Sequence, residues 1–216
     1  MNTLMKKKNE SSEQLNIQLF LLCMLAALLC RRLGKISSLR IICGMLRTMI
    51  YVGVYIGWGI SIYKRVIQKS VRNVLIFIAE LIIFWFVVRT TKYFFTIDNQ
   101  IARYLWYSYY IPMLFIPVAV LQAAFFLGKS EEYRLPKWLK GVYIPTAVLV
   151  LLVLSNDLHQ LVFSFPVGSA WSDSHYTYGW GYYVVLVWEV VCALTAFVLM
   201  IYKCRHSQKK KYLPLL

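Results

Sequence analysis

"VLVLLVLSNDLHQLVFSFP" (148–166) runs from unbroken hydrocarbon into Ser155, Asn156, Asp157, His159 and Gln160, then returns to apolar residues. The rest of the chain decides whether that hydrocarbon is a soluble core helix or a membrane span. Apolar residues make up 60% of the 216 residues, and only 15% are charged. A soluble domain averages about 25% charged. Several apolar runs approach the roughly 20 residues needed to cross a bilayer, so the expected fold class is all-α, a polytopic transmembrane helix bundle with about six membrane helices. The chain is read as a multi-pass cell-membrane protein whose first partner is the lipid bilayer.

Residues 1–14 are polar and contain Lys6, Lys7 and Lys8. Residues 15–30 (LNIQLFLLCMLAALLC) are apolar and stop at Arg31 and Arg32. This resembles the start of a signal sequence, but no small-x-small cleavage site follows, and an uncleaved leading helix is expected. Further helices are expected over 41–63, 74–91, 102–127, 138–155 and 180–202. Pro112 and Pro117 interrupt the fourth of the six and Pro145 the fifth, as kinks of the kind membrane helices tolerate. The tail, 206–216, is basic and then reads Tyr212-Leu-Pro-Leu-Leu216, either a short frayed end or the first turn of a further apolar helix.

The net charge of +15 could suggest nucleic acid. The lysines and arginines, however, lie between apolar runs, where orienting charges belong. No RNA- or DNA-binding motif accompanies them, so nucleic acid is excluded as a partner. Lys64, Arg65, Lys69 and Arg72 fall in one connection, Lys129, Arg134, Lys137 and Lys140 in another, and Lys203, Arg205, Lys209, Lys210 and Lys211 in the tail. The connection 155–180 has none. The positive-inside rule places the basic segments in the cytoplasm and 155–180 outside. The N-terminus is then cytoplasmic if 15–30 spans, and Arg31, Arg32, Lys35 and Arg40 disagree with that arrangement. The five cysteines lie in or beside apolar segments with no CxxC, and read as inert thiols.

Asn156, His159 and Gln160 would share one broad face of a helix, with Asp157 beside them. Two readings compete: a solvated helix end, or a polar rim for a ligand or proton with His159 as the titrating group. Asp173 and His175 add a second carboxylate and imidazole on the same side, but the spacing matches no metal motif, and no metal or other cofactor is assigned. Tyr104, Trp106, Tyr107, Tyr109, Tyr110, Tyr176, Tyr178, Trp180, Tyr182 and Tyr183 cluster at the same ends. They read as an interfacial belt or as a ligand-lining set. Within the membrane the ionisable residues singled out are Arg47, Glu80 and Glu189, which are costly unless they face the bundle interior or one another. Arg47 and Glu189 lie six and nine residues from the outer ends of their helices, roughly 9 and 13 Å deep, which would let them pair. Glu80 lies nearer the inner face. No P-loop, GxSxG, HExxH or Gly-rich nucleotide box is found, so no catalytic residue is assigned and the chain is not read as an enzyme.

Three stretches carry a family resemblance. "RYLWYSYYIPMLFIP" (103–117) is an aromatic helix start followed by prolines, "LSNDLHQLVF" (154–163) has an Asn with a His three residues on, and "YGWGYY" (178–183) has a Tyr-Gly entry to a helix. Together they resemble the N-terminal seven-transmembrane sensor region of bacterial histidine kinases, over about residues 41–205. Asn156, His159, Tyr178 and Gly179 match that pattern, while Ser155, Asp157 and Trp180 depart from it. The resemblance implies that 41–63 through 180–202 are the first five helices of seven, with 15–30 in front. The last two helices and the kinase modules are then absent. It also implies an integral membrane signal-sensing domain of two-component type, detecting an extracytoplasmic or intramembrane signal near Asn156, Asp157, His159, Tyr178 and Gly179. The partners implied are a cytoplasmic kinase or response regulator, with a homodimer left open. A small transporter or permease subunit is the alternative, compatible with Glu80, Glu189 and the prolines, although no inverted repeat is seen.

Overall fold

The structure, a computed structural model, describes residues 2–36, 39–94, 99–130, 133–166 and 175–206. The chain divides into two units, Met1–Gly57 and Trp58–Leu216. The first holds α1 (Asn2–Leu33) and most of α2 (Arg40–Arg65). The expected leading helix 15–30 lies inside the longer α1. Gly34 ends α1 by donating its N–H to the Cys30 carbonyl at 2.9 Å. A Cβ on Gly34 would crowd that carbonyl and the Cys43 side chain of α2, so the two helices approach closely at their turn.

The second unit holds α3 (Lys69–Phe94), α4 (Asn99–Tyr107), α5 (Tyr110–Phe126), α6 (Lys137–Gly141), α7 (Tyr143–Leu154), α8 (Asn156–His159) and α9 (Trp180–His206). Among the described residues five helical stretches are long and apolar enough to cross a membrane: Arg40–Arg65, Lys69–Tyr93, Gln100–Phe126, Lys137–Leu154 and Trp180–Arg205. They coincide with the five helices expected from 41–63 onward. The tail from 207 lies outside the described residues.

Two of these spans are broken, each just before a proline. Pro112 cannot donate to the Ser108 carbonyl, and its ring crowds that group. The chain tightens there, with Tyr109 N–H on Trp106 O at 3.1 Å and Ile111 N–H on Ser108 O at 3.2 Å, and α4 ends. Pro145 does the same at Val142, which separates α6 from α7. Pro117 lies inside α5 without ending it.

α5 is apolar on all sides and packs against α3, α7 and α9, as a helix without a polar face must. It runs through both cores of the unit. One core joins Ile78 of α3, Ala119 and Ala124 of α5, Leu139 of α6 and Ala196 of α9. The other joins Tyr107, Leu114, Val153, Val162, Phe163 and Val185. The basic segments gather at the first of these ends: Gln68 donates to Ser130 O, Arg72 lies over the Tyr63 ring, and Lys203 reaches the end of α5.

At the opposite end the all-helical pattern is interrupted by a small antiparallel hairpin, β1 (Phe163–Ser164) with β2 (Thr177–Tyr178). Phe163 faces Tyr178 and Ser164 faces Thr177.

Candidate functional site

Ser155 closes α7, and its hydroxyl donates back to Leu151 O at 2.7 Å. One turn of helix follows, α8, and then Gln160 adopts a left-handed conformation (φ 50°, ψ 28°). The helical face expected to carry Asn156, His159 and Gln160 together is therefore cut short. Asn156 is fully buried, His159 half-buried, and Gln160 lies past the helix end, exposed. A left-handed residue with a side chain costs about 1–2 kcal/mol, so the local bonds must hold it. Gln160 N–H donates to Asn156 O at 2.7 Å, and Leu161 N–H donates to His159 Nδ1 at 3.0 Å.

That last bond fixes the tautomer. Nδ1 accepts, so the ring proton sits on Nε2, which points at Leu152 O (3.1 Å) and Ser155 Oγ (3.3 Å). Both ring nitrogens of His159 are engaged by its own helix end.

Asn156 is more fully committed. Its Nδ2 donates to Phe163 O at 2.8 Å and to Tyr107 Oη at 3.2 Å, and its Oδ1 accepts from Val162 N–H at 3.0 Å and Phe163 N–H at 2.9 Å. Two donors and two acceptor positions are all that an amide offers. Asn156 thus binds the strand β1 to α4 through Tyr107.

Asp157 makes the second link to α4. Its Oδ1 accepts from Tyr107 Oη at 2.7 Å, and its Oδ2 pairs with Arg103 Nη2 at 2.8 Å. The two side chains of the ion pair are only 26% and 18% exposed. Arg103 Nε is buried and has no partner among the described residues.

Phe163 is fully buried, with the rings of Trp106, Tyr107, Tyr110, Tyr176, Tyr178 and Tyr182 at centroid distances of 4.6–6.3 Å. These aromatics form the core under the hairpin. Tyr178 stacks on Tyr182 at 4.0 Å and keeps an exposed edge.

Gly179 sits where β2 becomes α9. Its N–H donates to Val162 O at 2.9 Å, and Gly181 N–H donates to Leu161 O at 3.0 Å. A Cβ on Gly179 would land on the Leu161 carbonyl, so only glycine allows this backbone approach. All five positions expected at this end, Asn156, Asp157, His159, Tyr178 and Gly179, thus belong to one joint between α8, the hairpin and the start of α9.

The comparisons with known proteins bear on this joint. The family described as the N-terminal 7TM region of histidine kinase matches residues 43–214, most of the chain. The chain belongs to that family. Its match contains α3 to α9 and every residue of the joint. Membership in this histidine kinase sensor-region family, with the five candidate spans, makes the protein a multi-pass membrane protein of the cell membrane. No curated protein and no solved structure is similar enough to match.

Arg103 and Tyr107 belong to the joint as much as Asn156 does; the sequence offered Tyr107 only as one member of the aromatic cluster, and Arg103 was passed over as a functional residue. The available signal was Arg103 itself, a cation inside the stretch 103–117; its pairing with Asp157 is a property of the fold. Of the intramembrane charges, Arg47 is half-buried on α2, Glu80 is exposed on α3 and Glu189 is half-buried on α9. Arg47 belongs to the first unit and Glu189 to the second, so their pairing is a proposal that rests on depth in the sequence alone. Among the described residues no three His, Cys, Asp or Glu side chains gather as metal ligands. Asp173 lies outside the described residues.

Proposed function

We propose that this chain is the sensing part of a two-component system. It registers a signal at the SNDLHQ end, outside the cytoplasm or within the membrane, and passes it through α9 to a cytoplasmic kinase or response regulator. Family membership supports the class of activity. The observation that carries the reading is the joint itself: the hairpin that opens into α9 is hydrogen-bonded by its backbone to Asn156, and Asn156 and Asp157 are bonded to α4. A ligand or force that shifts the hairpin must shift the start of α9, because Gly179 and Gly181 are bonded directly to residues 161 and 162. A signal acts in this way only if it favours one of two arrangements of the joint. In this proposal Asn156 and His159 position the joint, Tyr178 offers an exposed aromatic face, and Arg103 keeps a buried donor in reserve.

The test uses Asp157→Asn and Tyr107→Phe, which remove the ion pair or a hydroxyl while preserving shape. In the native host, the transcript profile of each variant is compared with wild type and with a deletion of the gene, at matched membrane abundance. Both variants are expected to shift the deletion-sensitive transcripts at wild-type abundance. Asn156→Ala leaves the buried Val162 N–H, Phe163 N–H and Phe163 carbonyl without its amide, at about 1–3 kcal/mol each, and is expected to lower abundance itself. Normal abundance with an unchanged profile in Asp157→Asn and Tyr107→Phe would refute the sensing role.

A further inference from the structure

The last turn of a helix leaves carbonyls with no partner in the helix, and each needs one from elsewhere. In α5, Ala123 O accepts from Leu127 N–H at 3.1 Å and Phe126 O accepts from Lys129 N–H at 3.0 Å. The chain then turns away through Gly128, at a left-handed φ of 76°. Three carbonyls remain, and one side chain from α9 serves all of them. Lys203 Nζ donates to Ala124 O at 2.8 Å, Phe125 O at 2.7 Å and Leu127 O at 2.9 Å. An ammonium has three hydrogens, and here each has an acceptor. The positive charge also sits at the negative end of the α5 dipole.

We propose that Lys203 is a releasable latch: it holds the basic end of α9 against the basic end of α5, and its opening is the movement the domain delivers to its output partner. The geometry favours two states over a continuum. The three carbonyls share one donor group, so withdrawal of the Lys203 ammonium removes all three bonds together. The carbonyls then lose their partners at once, so an intermediate position is poor. The latch also lies at the far end of the helix that the joint at Gly179 and Gly181 positions. Between them, Trp188 Nε1 donates to Thr146 Oγ1 at 3.1 Å, which holds the middle of α9 to α7. α9 is thus hydrogen-bonded to its neighbours at its start, middle and end, and beyond the packing of Ala196, Leu199 and Met200 the last polar link is a single side chain. The signalling half of this inference rests on the sensing role proposed above, whereas the latch itself does not.

The test is a distance measurement on the full chain in lipid nanodiscs. Native Cys204, which is exposed, and Ser130→Cys carry spin labels, with Cys23, Cys30, Cys43 and Cys192 replaced by serine or alanine. With Lys203 in place, the pair is expected to give one narrow distance distribution. Lys203→Met, similar in length but without donors, is expected to broaden it or move its mean by about 1.5 Å or more. Lys203→Arg, which keeps charge and donors, is expected to stay near wild type. An unchanged distribution in well-folded Lys203→Met overturns the latch. Asp157→Asn, at the other end of the unit, is expected to shift the distribution in the same direction as Lys203→Met. A response to Lys203→Met with none to Asp157→Asn overturns the link between the joint and the latch. The transcript comparison is a separate readout, so failure of the sensing role is told apart from failure of the latch.

Discussion

Asn156 and Gly179 show how little side chain is needed to build the joint. One is an amide with every hydrogen-bonding position filled, and the other is the absence of a Cβ. Gly179→Ala should therefore be costly, because the new methyl meets backbone and not the movable end of a side chain. Overpacking of this kind costs about 1–3 kcal/mol. Gly59→Ala in α2 is the contrast, since nothing lies within 4 Å of the Cβ it would add. There alanine should be neutral or stabilising, by up to about 1 kcal/mol for a helix interior. Thermal unfolding in detergent should show a lower midpoint for Gly179→Ala and no loss for Gly59→Ala; equal midpoints would contradict the close approach to Leu161. Asn156 was legible as important but not for what it does. Its partners are main-chain groups six and seven residues on, and a one-dimensional pattern does not say where a loop returns. Gln160 was hidden for a simpler reason. Left-handed positions are usually marked by glycine or asparagine, and here a glutamine occupies one.

The helices themselves follow from composition and from proline. The five spans expected from 41–63 onward are found, because length and hydropathy are local properties, whereas the leading run 15–30 lies in α1, which is not among the candidate spans of the described residues. The breaks at Ser108–Tyr109 and at Val142 were also legible, since Pro112 and Pro145 act on carbonyls three to four residues behind them. How the helices touch was not. Within the apolar segments a few polar side chains make specific links, Trp188 to Thr146 between α9 and α7, and Tyr143 to Gln122 between α7 and α5. Hydrogen bonds of this type in membrane proteins average about 0.6 kcal/mol and reach about 1.7. A double-mutant cycle with Trp188→Phe and Thr146→Val, read as unfolding free energy, should give a coupling in that range. A value of zero would mean that the indole and the hydroxyl do not meet in the membrane.

Across the second unit the two ends differ in charge. The segments 64–72, 129–140 and 203–205 collect at one end, and the joint at Asn156 lies at the other. The charges predict that the first end faces the cytoplasm. Leu158 is 88% exposed beside the joint, and Ser130 is exposed at the basic end. In a cysteine-free background, a membrane-impermeant thiol reagent added to intact cells should label Leu158→Cys and leave Ser130→Cys unlabelled until the cells are opened. The reverse labelling would invert the orientation. Glu80 is exposed on α3 within a candidate span, as is Arg89 further along the same helix.

The five spans from 41–63 onward, the breaks ahead of Pro112 and Pro145 and the family were legible in the sequence, because each depends on residues close together in the chain. The family resemblance drew attention to Asn156, His159, Tyr178 and Gly179 as separate positions. Only the tertiary structure decided that they form one joint with Arg103, Tyr107 and Asp157, and that Lys203 closes the far end of α5. Those contacts join residues about 50 and nearly 80 positions apart. They exist because buried carbonyls, amides and charges must find partners once water is excluded, and which partner each finds is set by how the helices pack.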